Sequence, residues 1–436
     1  MIFDVFRLLN HAILIAGLSL LGAAALYQFW IVATFLRLRR EGMAREAAEL
    51  DLPLPNDADL PHVLVQVPTL NEQMVIKRVI EAVGALDWPS DRLHIQIVDS
   101  STDETPLIAE RALAILRSRG LDAQLLHEVG RPGFKAGQLR DGLRCADHEY
   151  VAVFDADCLP QPNFLRLCMR PLLADPKIGF VQARSEFINA ADSALTGSQQ
   201  RMIDADSVVG QAARNWSGNF TQFCGHSCVW RRRAIDDAGG WQSDTLCEDV
   251  DLCCRAFLRG WSARALVGVT VPTELPGEIK SWSGQQFRWT KGFAQVTRKH
   301  LRAIWRSKLA LSRKLIMTMH LTSCMTGPLL ALTVIAASAD IFVHPGLTAP
   351  VIGLILFALL TGAGAACAIG VLGQQMLRGA NPLRELLRMP AVIGFHIYSA
   401  LTNMDAVFDV LRGKQSAFVR TPKTGAAARR DSAAGP

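Results

Sequence analysis

Acidic residues recur at places where they can do chemistry. Asp155-Ala-Asp157 directly follows the apolar run Tyr150–Phe154. Two carboxylates so placed can share one hard divalent cation, which in turn binds phosphate oxygens. Asp99 ends another apolar run, His94–Val98, and opens Asp99-Ser-Ser-Thr-Asp103. Cys247-Glu248-Asp249-Val-Asp251 gathers three acids just before the helical pattern Leu252–Leu258. Acids in a first helical turn complement the helix dipole, but three exceed what a helix start needs. Gln285, Arg288 and Trp289 share one face of a helical stretch by their spacing. Arg suits a pyrophosphate, and Trp suits the flat face of a sugar ring. Taken singly, each pattern has a plainer explanation. These are a solvated strand-end turn for D-x-D, a helix cap at 99–103, dipole compensation at 248–251, and a membrane-interface helix at 285–289. Neither GxxxxGK[ST] nor GxGxxG occurs, so no P-loop or Rossmann fingerprint supplies a phosphate site.

These residues need a frame, and residues 53–305 supply one. The β-rich run His62–Val67 is followed by helical spacing over Glu72–Leu86. His94–Val98 leads into a helix over Glu104–Arg119, with Thr102 or Asp103 as its cap. The short strand Gln124–His127, the helix Phe134–Arg144 and the strand Tyr150–Phe154 continue the alternation. Alternating β and α elements read as an α/β fold, a mostly parallel sheet with helices on both faces. Ligands of such sheets bind beyond the carboxyl ends of the strands, where Asp99 and Asp155 both stand.

The chain has 436 residues, enough for about three domains at roughly 150 residues each. Hydrophobic residues make up 50% and charged residues 20%, which excludes a disordered chain. A mean hydropathy of +0.19 on so long a chain points to membrane segments beside a soluble part. The net charge of +6 is too mild to argue for nucleic acid, and no basic block carries interleaved aromatics. The ten cysteines form no paired C-x-x-C knuckles, which argues against zinc, and they fit a reducing cytosol better than a disulfide framework.

Ala12–Leu36 is long and apolar enough to cross a bilayer, too long for a signal-peptide core, and followed by Arg37, Arg39 and Arg40. Leu315–Ala339 and Pro350–Gly373 read as two further spans. Arg and Lys crowd 298–314 and 378–388, whereas 340–349 has none. The positive-inside rule then puts the amino terminus outside and residues 37–314 and the C-terminal tail in the cytosol. Pro390–Leu411 contains His396, Asp405 and Asp409, and reads as an amphipathic helix on the cytosolic surface rather than a fourth span. The expected organisation is a transmembrane helix in 1–40, a soluble domain in 53–305, two spans in 315–373, an interfacial segment in 390–425 and a disordered tail in 426–436.

In this order, the motifs resemble those of the membrane-bound family 2 glycosyltransferases, which include cellulose, mannan and hyaluronan synthases. Pro68-Thr69-Leu-Asn71-Glu72 looks like the opening nucleotide loop, and Asp99 like the uridine-contacting aspartate. Gly133-Phe-Lys135-Ala-Gly137 is similar to the K-A-G segment near the diphosphate, and Asp155-Ala-Asp157 to the metal-binding D-x-D. Val181-Gln182-Ala-Arg184 resembles the V-Q-x-R strand. Phe223-Cys-Gly225-His226, with Arg231 and Arg232, resembles the acceptor segment. Cys247-Glu248-Asp249 is similar to T-E-D, and Gln285-x-x-Arg288-Trp289 to the motif of processive members. Phe418-Val-Arg420-Thr421-Pro-Lys423 resembles the gating loop. Cys224, His226, Cys228 and Cys247 depart from the residues usual in the family and leave the acceptor undetermined.

The resemblance implies a GT-A-type cytosolic domain with transmembrane helices on both sides, in an integral protein of the inner or plasma membrane. It implies an inverting transfer of a hexose from a UDP-sugar to a growing β-glycan, with Mg²⁺ or Mn²⁺ on Asp155 and Asp157. Pro68, Thr69, Asn71, Glu72, Asp99, Lys135 and Arg288 would bind the nucleotide-sugar. Asp249 would be the base, tuned by Glu248 and Asp251. Gln285, Trp289 and His226 would meet the acceptor, and Phe418, Thr421 and Lys423 would gate the site. UDP-glucose or another UDP-hexose comes first as donor, with GDP-mannose as the alternative. A single transfer to a membrane lipid, or an inactive scaffold or sensor, are the rival functions. The expected partners are a glycan or glycolipid acceptor and membrane lipids, with no nucleic acid. Three spans are too few to enclose a polymer channel, which leaves a place for a homo-oligomer or an export partner.

Overall fold

The computed structural model describes residues 2–130, 132–343, 349–414, 416, 421 and 423. They fall into two compact units. One comprises Arg39–Gln200, Arg214–Gln285 and Phe418–Pro436; the other comprises Met1–Leu38, Arg201–Ala213 and Gln286–Ala417.

The first unit is built on seven strands: β1 (Val63–Thr69), β2 (Leu93–Asp99), β3 (Asp122–His127), β4 (Tyr150–Val153), β5 (Ile178–Phe187), β6 (Cys228–Arg231) and β7 (Ser262–Thr273). Their order is β3-β2-β1-β4-β6-β5-β7. The first four run parallel, as do β5 and β7, while β6 lies antiparallel between β4 and β5. Every residue of β1 is buried, which is why this strand reads as a nearly continuous apolar run and not as an alternation. The one polar side chain within β1's apolar run, Gln66, donates its Nε2 to Gln96 Oε1 at 2.7 Å, and Gln96 donates to the carbonyl of Gly142. Helices Ile76–Gly84 and Thr105–Ser118 add Ile76, Val79, Ile80, Val83, Leu113 and Leu116 to the core formed with Val63, Val65, Ile95 and Ile97.

Two element boundaries differ from the sequence expectation. The helix expected from Glu72 starts at Ile76. Residues 72–75 instead make a turn on the Glu72 carbonyl, next to Asn71 at φ 54°. The first helix does not stop near residue 40 but runs unbroken from Ile2 to Leu50. Its last turns are held by β7: Glu46 accepts the N–H groups of Val267 and Gly268 at 3.0 and 2.7 Å, and Glu49 pairs with Arg264 at 2.8 Å.

The second unit is helical. Among the described residues, Leu8–Leu50 and Leu311–Ala339 are long and apolar enough to cross a membrane. Helix Ala349–Arg378 follows, then Pro382–Thr402 and Met404–Leu411, which are separated at Asn403. The carboxylate of Asp409 meets buried Lys291 at 3.0 Å. Asp204, at the start of the π-helical turn Ala205–Gln211, accepts from Gln374 at 2.9 Å and Arg378 at 3.3 Å.

Candidate active site

The carboxyl ends of the parallel strands carry the polar residues that the sequence singles out. Beyond β4, Asp155 and Asp157 face different partners. Lys135 Nζ donates to Asp155 Oδ1 at 2.5 Å and to the Gly225 carbonyl at 2.9 Å. Asp157 Oδ2 accepts from Thr273 Oγ1 at 2.6 Å, the Glu274 N–H at 3.1 Å and Lys423 Nζ at 2.6 Å. Burial disfavours the charge on both aspartates, but the lysines prevail. Asp155 is held below the usual carboxylate range, and Asp157 falls to about 2. Burial likewise works against the charge on Lys135, yet Asp155, Glu248 and Asp249 around it hold it protonated well above the usual lysine range.

The acids at 248–251 lie in the first turn of helix Glu248–Leu258. Asp249 behaves oppositely to the D-x-D pair. Desolvation pushes its carboxyl up to about 7, with the Glu248 charge adding to the effect. Gly225 makes room for this group. It has φ +86°, and a Cβ there would stand 3.2 Å from Asp249 Oδ2 and 3.5 Å from Lys135 Nζ. Lys135 therefore joins the D-x-D to the surroundings of Asp249. Asp251 has a different partner. It is fully buried and makes a two-pronged ion pair with Arg255 at 2.9 and 2.7 Å, so it anchors the helix.

Loops from several elements complete the site. Asp99 is buried and accepts from Thr69 Oγ1 at 2.6 Å and Ser101 Oγ at 2.5 Å. Asn71 Oδ1 accepts the Thr102 N–H at 2.8 Å, and the Asn71 N–H donates to Ser101 Oγ at 2.6 Å. Pro68 pairs with Val98 in the sheet, and Glu72 is buried. His226 Nδ1 lies 2.7 Å from Ser227 Oγ and 3.4 Å from Cys158 Sγ, and burial holds its imidazole below the usual pKa. Among the described residues, three other than glycine have left-handed backbone: Asn71 (φ 54°), Phe134 (φ 51°) and Ser227 (φ 57°). Asn71 and Ser227 sit in loops of this site and Phe134 opens helix Phe134–Arg144, next to Lys135. Strain of that kind persists only where surrounding structure over-determines it.

The other expected residues take these positions. Arg231 is spent on Tyr150 Oη, the Leu172 carbonyl and the Ile178 carbonyl, and Arg232 caps the Ala146 carbonyl. Gln285, Arg288 and Trp289 lie on helix Ile279–Arg306, with Trp289 exposed. Phe418 lies outside the described residues, whereas Thr421 is buried and Lys423 reaches Asp157. Sequence reasoning missed Thr273 and Glu274 at the end of β7, and His127 at the end of β3. The rule that ligands bind beyond the strands' carboxyl ends would have found them.

The pair Asp155 and Asp157 fits a hard divalent cation. Mg²⁺ and Mn²⁺ sites commonly use one or two carboxylates and take the rest of their shell from phosphates and water. Among the described residues no third His, Cys, Asp or Glu joins the pair.

Sheet order, loop positions and carboxylate placement together define a GT-A-like α/β transferase domain. Residues 61–292, more than half of the chain, match the family described as glycosyltransferase like family 2. The chain belongs to that family. Glucomannan 4-beta-mannosyltransferase 2 of Arabidopsis thaliana is 40% identical over 265 residues, which are 59% of this chain and 50% of that protein. Glucomannan 4-beta-mannosyltransferase 1 of Oryza sativa subsp. japonica is 39% identical over 268 residues, 59% of this chain and 51% of that protein. The chain thus spans about half the length of the curated relatives it matches. A mannosyltransferase of Pyrobaculum calidifontis, solved in complex with GDP-Man and Mn²⁺, is similar with a TM-score of 0.59, covering 91% of this chain and 99% of that one. At 22% identity that likeness is one of fold.

Proposed function

We propose that the chain transfers a hexose, with inversion, from a nucleotide-diphosphate sugar to a growing β-glycan at the cytosolic membrane face. The observation that carries this reading is Asp249, a carboxyl raised to about 7 beside a lysine that also contacts the D-x-D. A base whose pKa lies near neutrality can take the proton of an attacking hydroxyl, which an ordinary aspartate does poorly. Lys135 is positioned to stabilise charge on a departing diphosphate. Asp155 and Asp157 would hold Mg²⁺ or Mn²⁺, which when bound neutralises phosphate charge. Arg288 is assigned to the donor, Gln285, Trp289 and His226 to the acceptor, and Phe418, Thr421 and Lys423 to the gate.

The sequence ranks a UDP-hexose ahead of GDP-mannose. The relatives, which are mannosyltransferases by name, favour the reverse order, and we take GDP-mannose as the first donor to test. Membranes containing the chain should turn labelled GDP-mannose or a UDP-hexose into a ladder of polysaccharide. A single labelled glycolipid would replace the polymer reading with the lipid-acceptor one, and no incorporation from any donor would leave only a scaffold.

A further inference from the structure

The carboxyl ends of β1, β2 and β3 carry one row of polar side chains. Thr69 stands opposite Asp99 in the sheet register, and Asp99 stands opposite His127. A carboxylate offers about four accepting positions. For Asp99 all four are taken within the protein. Oδ1 accepts the hydroxyls of Thr69 at 2.6 Å and Ser101 at 2.5 Å. Oδ2 accepts the Ser101 N–H at 3.2 Å and His127 Nδ1 at 2.7 Å. Asp99 has no exposed surface. It is thus saturated and cannot itself accept a hydrogen bond from a nucleobase.

His127 is placed differently. Its side chain is 34% exposed, and its only hydrogen bond among the described residues is the one to Asp99. Because Asp99 accepts, the ring proton sits on Nδ1, which leaves a lone pair on Nε2 in the neutral imidazole. The two nitrogens lie on opposite edges of the ring, so Nε2 points away from the buried carboxylate. An acceptor held so firmly recognises an imino N–H. Uracil carries one at N3 and guanine at N1, whereas adenine and cytosine present a bare ring nitrogen at the corresponding place. The row is also rigid: Ser101 bonds both Asp99 and the Asn71 N–H, and selectivity of this kind needs a reader locked by its neighbours.

We propose that His127, oriented by Asp99, reads the imino edge of the donor's nucleobase and selects uracil and guanine over cytosine and adenine. The inference rests on the nucleotide-sugar reading above, and assigns to Asp99 a positioning role in it. The test is calorimetry on the full chain in detergent, with pyrophosphate, UDP, GDP, CDP and ADP as probes. The wild type should bind UDP or GDP about tenfold or more tighter than CDP and ADP, as one satisfied or unsatisfied hydrogen bond requires. His127→Ala should lose that preference while pyrophosphate affinity stays within about twofold, since the phosphate-side residues are untouched. His127→Gln, which restores an acceptor at an exposed position, should recover part of the ranking. An unchanged ranking in His127→Ala overturns the inference, as does an equal loss for pyrophosphate. A wild type that binds all four nucleotides equally sinks the inference and spares the donor reading. Failure of the wild type to bind any nucleotide defeats the donor reading and takes the inference with it.

Discussion

An aspartate in water has lost its proton well below neutrality and holds a new one poorly, so an aspartate base has to be remade by its surroundings. Asp249 shows how. Desolvation and the charge of Glu248 raise it to about 7, and Lys135 keeps a positive charge nearby. Because the base works in its ionised form, activity should be full above about pH 7 and fall as the pH drops through that value. The rate against pH would show this as an acidic limb near 7, and a limb near 4 would remove Asp249 from the role. Asp249→Asn should lower turnover by ~10²–10⁴-fold, the usual contribution of a general base, while leaving nucleotide affinity largely intact. Near-normal turnover would contradict the assignment. Gly225→Ala should also reduce turnover, because the new methyl meets Asp249 and the backbone is left-handed there. The acids were legible in the sequence, since their types and spacing are local. Their different ionisation was not, because it depends on burial and on the placing of Lys135, which only the fold brings about.

At the scale of elements, helix Glu248–Leu258 carries in its first turn both the proposed base Asp249 and Asp251, which pairs with Arg255. Asp251→Ala would leave Arg255 partly buried without its partner, at a cost of about 3 kcal/mol. The expected signature is a lower melting temperature together with a normal pH profile; a changed profile at unchanged stability would return Asp251 to the site. Asp157 should be the metal-sensitive member of the other cluster. Asp157→Ala should weaken nucleotide binding measured in excess Mg²⁺ or Mn²⁺, and unchanged affinity would tell against a cation there. Thr421→Ala changes no charge, so a simple headgroup anchor should tolerate it and a gate should not. Full activity in that variant would refute the gate. The parallel strands and their helices were readable from alternating apolar and helical patterns. Strand β6 was not, because Cys228–Arg231 is only four residues long and sits within what reads as an acceptor loop. The grip of β7 on Asp157 through Thr273 and Glu274 was missed because those residues stand far along the chain from the D-x-D.

For the whole molecule, the apolar helices were plain from composition. The sequence reading draws one soluble block, 53–305; the structure draws its sheet unit from three stretches of chain and carries the first helix through to Leu50. Distant contacts such as those of Glu46 with β7 are invisible to local pattern. The orientation can be tested directly. A reporter fused after residue 436 should read cytosolic, and one inserted between 340 and 349 should read non-cytosolic. A non-cytosolic signal at the C-terminus would add a span and place Lys423 on the wrong side of the membrane for the catalytic unit.

None of the ten cysteines is in a disulfide, and two are exposed, Cys145 and Cys224. The thiols of Cys158, Cys168, Cys228 and Cys253 are pushed up by burial, which keeps them protonated and slow to react. Cys224 adjoins Gly225, whose carbonyl accepts from Lys135. With Cys145 replaced by serine, a maleimide dye should therefore attach to the sheet unit mainly at Cys224. The chain has its own optical handle beside the site, and the brightness of that dye would report occupancy in real time, without any radiolabel.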